Sequence, residues 1–396
     1  MNRISHIKEI KIQNQNSLIF ILYLFQYSLL FPINLIIGSQ FPIVIFTSAL
    51  LMYCIITNRF KFNLKLILLL FLPLILLLFK LPFEKPDNSG INIALSHVKA
   101  FLTIGVSGIL IGSLKFSSKL FFYYAYKLSW IILLFFIFIP FTTYYGDDVN
   151  YMRYGYGLLP ATIIFYVSLF QKKQLLRSIV GCSISFTLLL FFGARGSLLS
   201  FLFFLVTFTF LFSSIKKRTK YVIFLVLSTI IFNIKPIIIY LFNTITGFNL
   251  SSYSLTKVLN YLNGDSFSST SSGRSEAFEL ALLKIWESPF LGLPLNTAYL
   301  DTGLIYYHNL FLDILVNWGV IIFSFFLGLI ISYIYKTIKT PKKNIKIIFT
   351  LIFCISITRL LVSSNYFERP EFWVLMSYGL TTISTNNISP IKIKEN

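Results

Sequence analysis

Negative charge is scarce in this chain, and so are the residues that build most soluble active sites. Its 396 residues hold 14 Asp and Glu, three His and three Cys. Charged residues of both signs reach only 12%, against roughly 25% in a soluble domain, which excludes an ordinary water-soluble fold. Cys54, Cys182 and Cys354 lie singly within hydrophobic runs, so neither a disulfide framework nor a zinc site is suggested. Three histidines at no local spacing assemble no metal cluster, and no metal or cofactor is expected. The 34 Lys and Arg form no basic groove interleaved with aromatics, so nucleic acid is not an expected partner.

Hydrophobic length is what the chain has in excess. Apolar residues make up 56% and aromatics 18%. A helix crossing a bilayer needs roughly 20 apolar residues, because its backbone must bond internally across the hydrocarbon core. Window reading finds about 12 such segments. They run near 17–37, 41–57, 64–81, 92–113, 119–140, 155–170, 176–192, 196–214, 220–242, 308–335, 345–364 and 370–385. The first is too long, and lacks the small-residue cleavage site, for a removed signal peptide. The expected fold is all-α, a polytopic membrane protein forming a single membrane domain over 1–396.

The connectors sort by charge. With the N-terminus inside, the inner connectors carry 22 basic residues against only Glu9 and Glu395. The outer ones carry 8 basic and 11 acidic residues. This positive-inside pattern places both termini in the cytoplasm, with the lysines against anionic headgroups. A long connector, 243–307, is then extracytoplasmic. Arginine departs from lysine. Arg153, Arg195, Arg274 and Arg369 lie outside, and Arg359 lies near the outer end of its segment. Guanidinium pairs with phosphate or carboxylate through two parallel bonds, so its enrichment on one face hints at an anionic ligand.

Within the long connector, the serine-rich stretch Gly264–Gly273 reads as a flexible linker. Arg274–Glu287 reads as an amphipathic helix, with Phe278, Ala281, Leu282 and Ile285 at helical spacing and Glu276 and Glu279 in the first turn. Ser288-Pro289 stops it. Gly292, Pro294 and Gly303 mark an irregular return to the membrane, and His308-Asn309 opens a hydrophobic helix with Asp313 just inside.

Three motifs then carry a resemblance. They are Ser272-Gly-Arg-Ser before the helix, Trp286-Glu-Ser-Pro-Phe-Leu-Gly after it, and His308-Asn-Leu-Phe-Leu-Asp-Ile-Leu-Val-Asn-Trp-Gly. Together they resemble the outer loop and following helix of the O-antigen polymerase and O-antigen ligase-like superfamily. Gly193-Ala-Arg-Gly-Ser resembles that superfamily's short arginine-bearing outer turn. The resemblance is best over 190–330. It implies a glycosyltransferase of the bacterial cytoplasmic membrane, acting on an undecaprenyl-pyrophosphate-linked oligosaccharide. Membrane lipids, a chain-length regulator and a flippase are the partners it implies.

In such a reaction the leaving diphosphate gains charge, and preorganised cations stabilise it. No metal is needed if arginines supply the positive field. Arg195, alone in a short outer turn, and Arg274, opening the loop helix, are the expected clamps. The competing readings are an interfacial arginine and a solvated helix-end charge. Arg153, among tyrosines after Asp147-Asp148, and Asn309 are expected to bind substrate. Asp313 and Arg359 are either substrate contacts or each other's buried partners. His308 is either the base for the acceptor hydroxyl or a phosphate ligand, and Asp301 and Asp313 are alternative bases. The expected function is repeat-unit polymerisation, the runner-up a ligase. A flippase or transporter is the reading from another class, and would place ionisable residues deep in its spans.

Overall fold

Helices supply all the regular structure of the computed structural model among the described residues. Those are residues 2–383, apart from 59–63, 85–87, 142–149, 172–173, 304–305, 363–364 and most of 213–232 and 248–273. Asp147-Asp148, the serine-rich linker and part of the 220–242 segment therefore lie outside them. The helices are α1 (Asn2–Leu24), α2 (Gln26–Ile37), α3 (Phe41–Thr57), α4 (Leu64–Lys80), α5 (Asn88–Ala100), α6 (Val106–Gly112), α7 (Ser118–Phe138) and α8 (Asn150–Phe170). Then come α9 (Leu175–Phe192), α10 (Arg195–Thr207), α11 (Ile234–Gly247), α12 (Arg274–Glu287), α13 (Thr297–Thr302), α14 (Leu310–Lys339), α15 (Lys343–Leu360) and α16 (Pro370–Tyr378).

Among the described residues, five stretches are long and apolar enough to cross a bilayer: Leu64–Phe83, Ile91–Gly112, Ser118–Phe138, Leu175–Phe192 and Leu310–Lys339. A sixth results if α1 and α2, bent by 48° at Phe25, form one broken span. These are the helices of a multi-pass membrane protein, but they fall short of the expected twelve. Part of the difference is physical. α8 is buried from Tyr154 to Val167, and α15 from Ile347 to Leu360 except Phe353. A helix faced by protein instead of lipid can hold small and polar residues that serve packing. Gly155 on α8 admits α10, since a Cβ there would collide with Ser197 Oγ and the backbone of Ala194. By contrast α4 buries only Leu66, Leu77 and Lys80, as a peripheral lipid-facing helix should.

The two ends of the bundle differ chemically. At one end a cavity of about 490 Å³ is lined by Gln13, Lys115, Ser118, Lys342, Lys343 and Asn344. At the other, a larger cavity of about 700 Å³ is lined by Arg153, Arg359 and Arg369. α15 joins them, and 1.5 Å per residue puts Lys343 and Arg359 roughly 24 Å apart. The lysine and arginine populations separated in the sequence are thus separated by the length of a helix.

The loop helix α12 has the bounds its sequence predicts. Its inward stripe is Ala277 and Ala281, both buried, with Ile285 partly buried, clustered with Val316 and Leu312 of α14. Leu282, expected inward, is 55% exposed, beside Leu283 and Trp286. The stripe is rotated toward the smaller side chains because α14 approaches closely. Beyond α12 the chain runs alongside a break in α14. Gly319 there has φ 71° and ψ 179°, a conformation essentially confined to glycine. The break exposes backbone groups to the returning segment: Leu293 N–H donates to Val316 O (2.7 Å) and Val320 N–H to Pro289 O (2.8 Å).

Candidate functional site

The arginine cavity is assembled from four distant parts of the chain. α2 supplies Tyr27, α8 supplies Arg153 and Tyr156, the C-terminal end of α15 supplies Arg359, and the residues around the start of α16 supply Glu368, Arg369 and Glu371. Three guanidinium groups face two carboxylates, leaving net positive charge. Arg359 lies over the Tyr156 ring at 4.5 Å from its centre, which orients its plane. The Nε atoms of Arg359 and Arg369 and Oε2 of Glu371 are all buried without a hydrogen-bond partner. Buried polar atoms are nearly always satisfied, so three orphans at one cavity describe groups arranged for something outside the chain.

A short strap, 365–373, separates this cavity from a second one. Glu368, Arg369 and Glu371 face the arginine cavity, while Tyr366, Phe367, Phe372 and Trp373 face an apolar groove of about 220 Å³ between α4, α14 and α16. The strap is held rigidly. Trp318 Nε1 donates to Tyr366 Oη at 2.7 Å, Asn365 caps the Tyr366–Glu368 turn through Phe367 N–H, and His97 stacks on Phe367. His97 is therefore a packing residue.

Arg274 and His308 come together at the edge of this region. His308 sits at φ 57°, a left-handed conformation rare for a side-chain-bearing residue. Its ring meets Tyr306 edge-on at 4.5 Å, and Nδ1 is buried without a partner. Burial, and then the positive charge of Arg274, push its pKa down to about 4. The imidazole is therefore neutral at physiological pH. Burial raises the Tyr306 phenol, opposed by Arg369 and Arg274. Tyr306 thus feels both the loop arginine and the strap arginine, and links the two groups.

The other expected site residues are placed as follows. Arg195 is exposed at the start of α10 and does not line the cavity. Its neighbour Gly196 abuts the Tyr156 hydroxyl, against the cavity wall. Arg153 is exposed and lines the cavity. Asn309 Oδ1 caps α14, accepting from Phe311 N–H (2.9 Å) and Leu312 N–H (3.3 Å). Asp313 is buried, and its Oδ1 accepts from Tyr307 N–H at 2.7 Å. It braces the turn that carries His308 and makes no ion pair with Arg359, whose neighbours are Tyr156, Arg369 and Glu371. The Asp301 side chain lies outside the description. Sequence reading missed Glu371 and Tyr27 as site residues, and took Arg369 and Glu368 only as outer charges. The larger share of arginine among the expected outer basic residues than among the inner ones was the one signal pointing to them.

Two residues at the end of α4 position the loop. Lys80 Nζ donates to Leu291 O (2.9 Å) and Leu293 O (3.1 Å). Glu84 accepts from Leu295 N–H (2.7 Å) and Asn296 N–H (3.3 Å). Bonds to a charged acceptor contribute about 1.5–3 kcal/mol each. Glu84→Gln, which offers one acceptor oxygen, is expected to speed amide exchange over 289–302 while leaving α7 and α8 protected. Unchanged exchange in that segment would mean the latch does not hold the loop.

A family model described as O-antigen ligase matches residues 180–327. Neither a curated protein nor a solved structure matches the chain. Arg195, Arg274 and His308 fall inside the match, whereas Arg153, Arg359, Arg369 and Glu371 fall outside it. Over those residues, which include the docked loop helix and the broken α14, the chain is similar to the O-antigen polymerase and O-antigen ligase-like superfamily, as its motifs led us to expect.

Proposed function

We propose that this protein polymerises polyprenyl-diphosphate-linked oligosaccharide repeat units at the outer face of the bacterial cytoplasmic membrane. In this reading both termini are cytoplasmic and 243–307 is the extracytoplasmic loop of a single membrane domain with about 12 crossings. The observation that carries the reading is the cavity in which Arg359 and Arg369 hold buried, unsatisfied Nε atoms beside Arg153. Guanidinium groups with unsatisfied N–H donors suit a diphosphate, which they grip through parallel bonds. The apolar groove behind the strap suits the other half of such a ligand, a long hydrocarbon tail. A lipid diphosphate would straddle 365–373, its tail on Phe372 and Trp373 and its phosphates on Arg369.

In this mechanism the growing glycan is displaced from its carrier by a hydroxyl of the next unit. Charge builds on the diphosphate as the anomeric bond breaks, and the arginines stabilise it more in the transition state than in the ground state. Arg274 and His308, carried by the docked loop, close over the outer side. His308, uncharged, hydrogen-bonds phosphate or sugar. Arg195 buttresses the wall at Tyr156. The family description favours a second reading, transfer of finished glycan to another acceptor. Transport is disfavoured because few charged groups lie deep in the described spans, Lys99 and Lys127 among them, and the arginines gather at one cavity.

Purified protein supplied with diphosphate-linked oligosaccharide distinguishes these. A ladder of lengths is the expected result. Single-block transfer to a separate acceptor would establish the ligase reading, and absence of turnover on every lipid-linked glycan would sink both. Arg195→Ala and Arg274→Ala are each expected to abolish the ladder with protein still in the membrane.

A further inference from the structure

One acidic group in the arginine cavity has no role in the scheme above. Glu371 stands in the first turn of α16, is 6% exposed, and lines the cavity. No ion pair joins it to Arg359 or Arg369, and its Oε2 accepts no hydrogen bond. A carboxylate buried beside cations yet paired with neither is costly unless a ligand completes it. Ionised, it can only accept. The same cavity therefore offers donors for an anion and one orphaned acceptor for a proton-bearing group. In a sugar diphosphate complex, the proton-bearing groups are hydroxyls.

We infer that Glu371 is the general base that takes the proton from the attacking acceptor hydroxyl. This rests on the glycosyl-transfer reading above. The acceptor O–H proton passes to a Glu371 oxygen as that oxygen of the acceptor bonds to the anomeric carbon. The bond from that carbon to the diphosphate oxygen breaks, and its electron pair leaves with the diphosphate, held by Arg359 and Arg369. The proton on Glu371 then returns to water or to the departing diphosphate. Other candidates are less well placed. Asp313 is occupied by the Tyr307 N–H, His308 does not line the cavity, and Glu368 is exposed. The groups around Glu371 are Tyr23 of α1, Tyr27 of α2, Arg359 of α15, and Arg369 and Glu368 beside it, with Arg153 and Tyr156 across the cavity.

The test uses the full chain in nanodiscs with a lipid-diphosphate oligosaccharide, and measures polyprenyl diphosphate binding separately. Glu371→Gln keeps the shape and removes the base. It is expected to lose about 10²–10⁴-fold in kcat, with KM and polyprenyl diphosphate binding unchanged. Glu371→Asp retains a carboxylate one methylene further back, and is expected to fall between the two. Turnover near wild type in Glu371→Gln overturns the inference while leaving the polymerase reading intact. Parallel loss of binding and turnover also overturns it, and makes Glu371 a counterion that positions the arginines. If Glu371→Gln fails to fold, Glu371→Ala decides: wild-type turnover there removes the base role. A wild-type protein inert on every such donor removes the function and this inference together.

Discussion

Arg369→Ala is expected to end chain growth, lowering turnover by about 10²–10³-fold with protein still in the membrane. Arg369 is the group on which three features meet. It lines the arginine cavity with a buried, unsatisfied Nε, it sits on the strap whose other face lines the apolar groove, and its charge reaches Tyr306 at the loop edge. Lysine would keep the charge and lose the planar fork. Arg369→Lys should therefore restore diphosphate binding in part and turnover hardly at all. Arg359→Ala should resemble Arg369→Ala. Product ladders on a gel and a binding isotherm for polyprenyl diphosphate are the two readouts. Normal ladders in both alanine variants would remove the clamp, whatever the fate of Glu371.

Gly319→Ala should have the largest effect on folding. The residue adopts a backbone conformation that costs an ordinary residue about 1–3 kcal/mol. An added Cβ would also collide with the Phe290 carbonyl, and overpacking of this kind costs about another 1–3 kcal/mol. Both penalties act where the returning loop exchanges backbone hydrogen bonds with α14. The expected outcome is a lowered melting temperature in detergent and early protease cleavage near 289–293. Gly328, further along the same helix, has nothing near its Cβ position, so Gly328→Ala serves as the control and should melt as wild type. Equal melting of all three proteins would show that the break in α14 is not needed to dock the loop.

Features governed by local chemistry were legible in the sequence. Helix α12 begins at Arg274 and ends at Glu287 as its spacing and the Ser288-Pro289 stop require. Of Arg195, Arg274 and His308, which the motifs singled out together, the charge of Arg274 reaches His308. What misled was periodicity read without a neighbour. Leu282 looked like a core residue, yet α14 takes the small stripe of Ala277 and Ala281 instead. The described helices account for five or six of the twelve expected crossings, because apolar length alone does not tell a helix facing lipid from one wrapped in protein, as α8 and α15 are.

The sequence alone determined that this is a helical membrane protein, because hydrophobic length acts residue by residue. Only the tertiary structure decided which arginines share a cavity. Tyr27, Arg153 and the Arg359–Arg369 pair lie more than a hundred residues apart and carry no common spacing. They meet because α8, α15 and α16 pack with their ends level. Packing, unlike hydropathy, is a property of surfaces that exist only once the helices have come together.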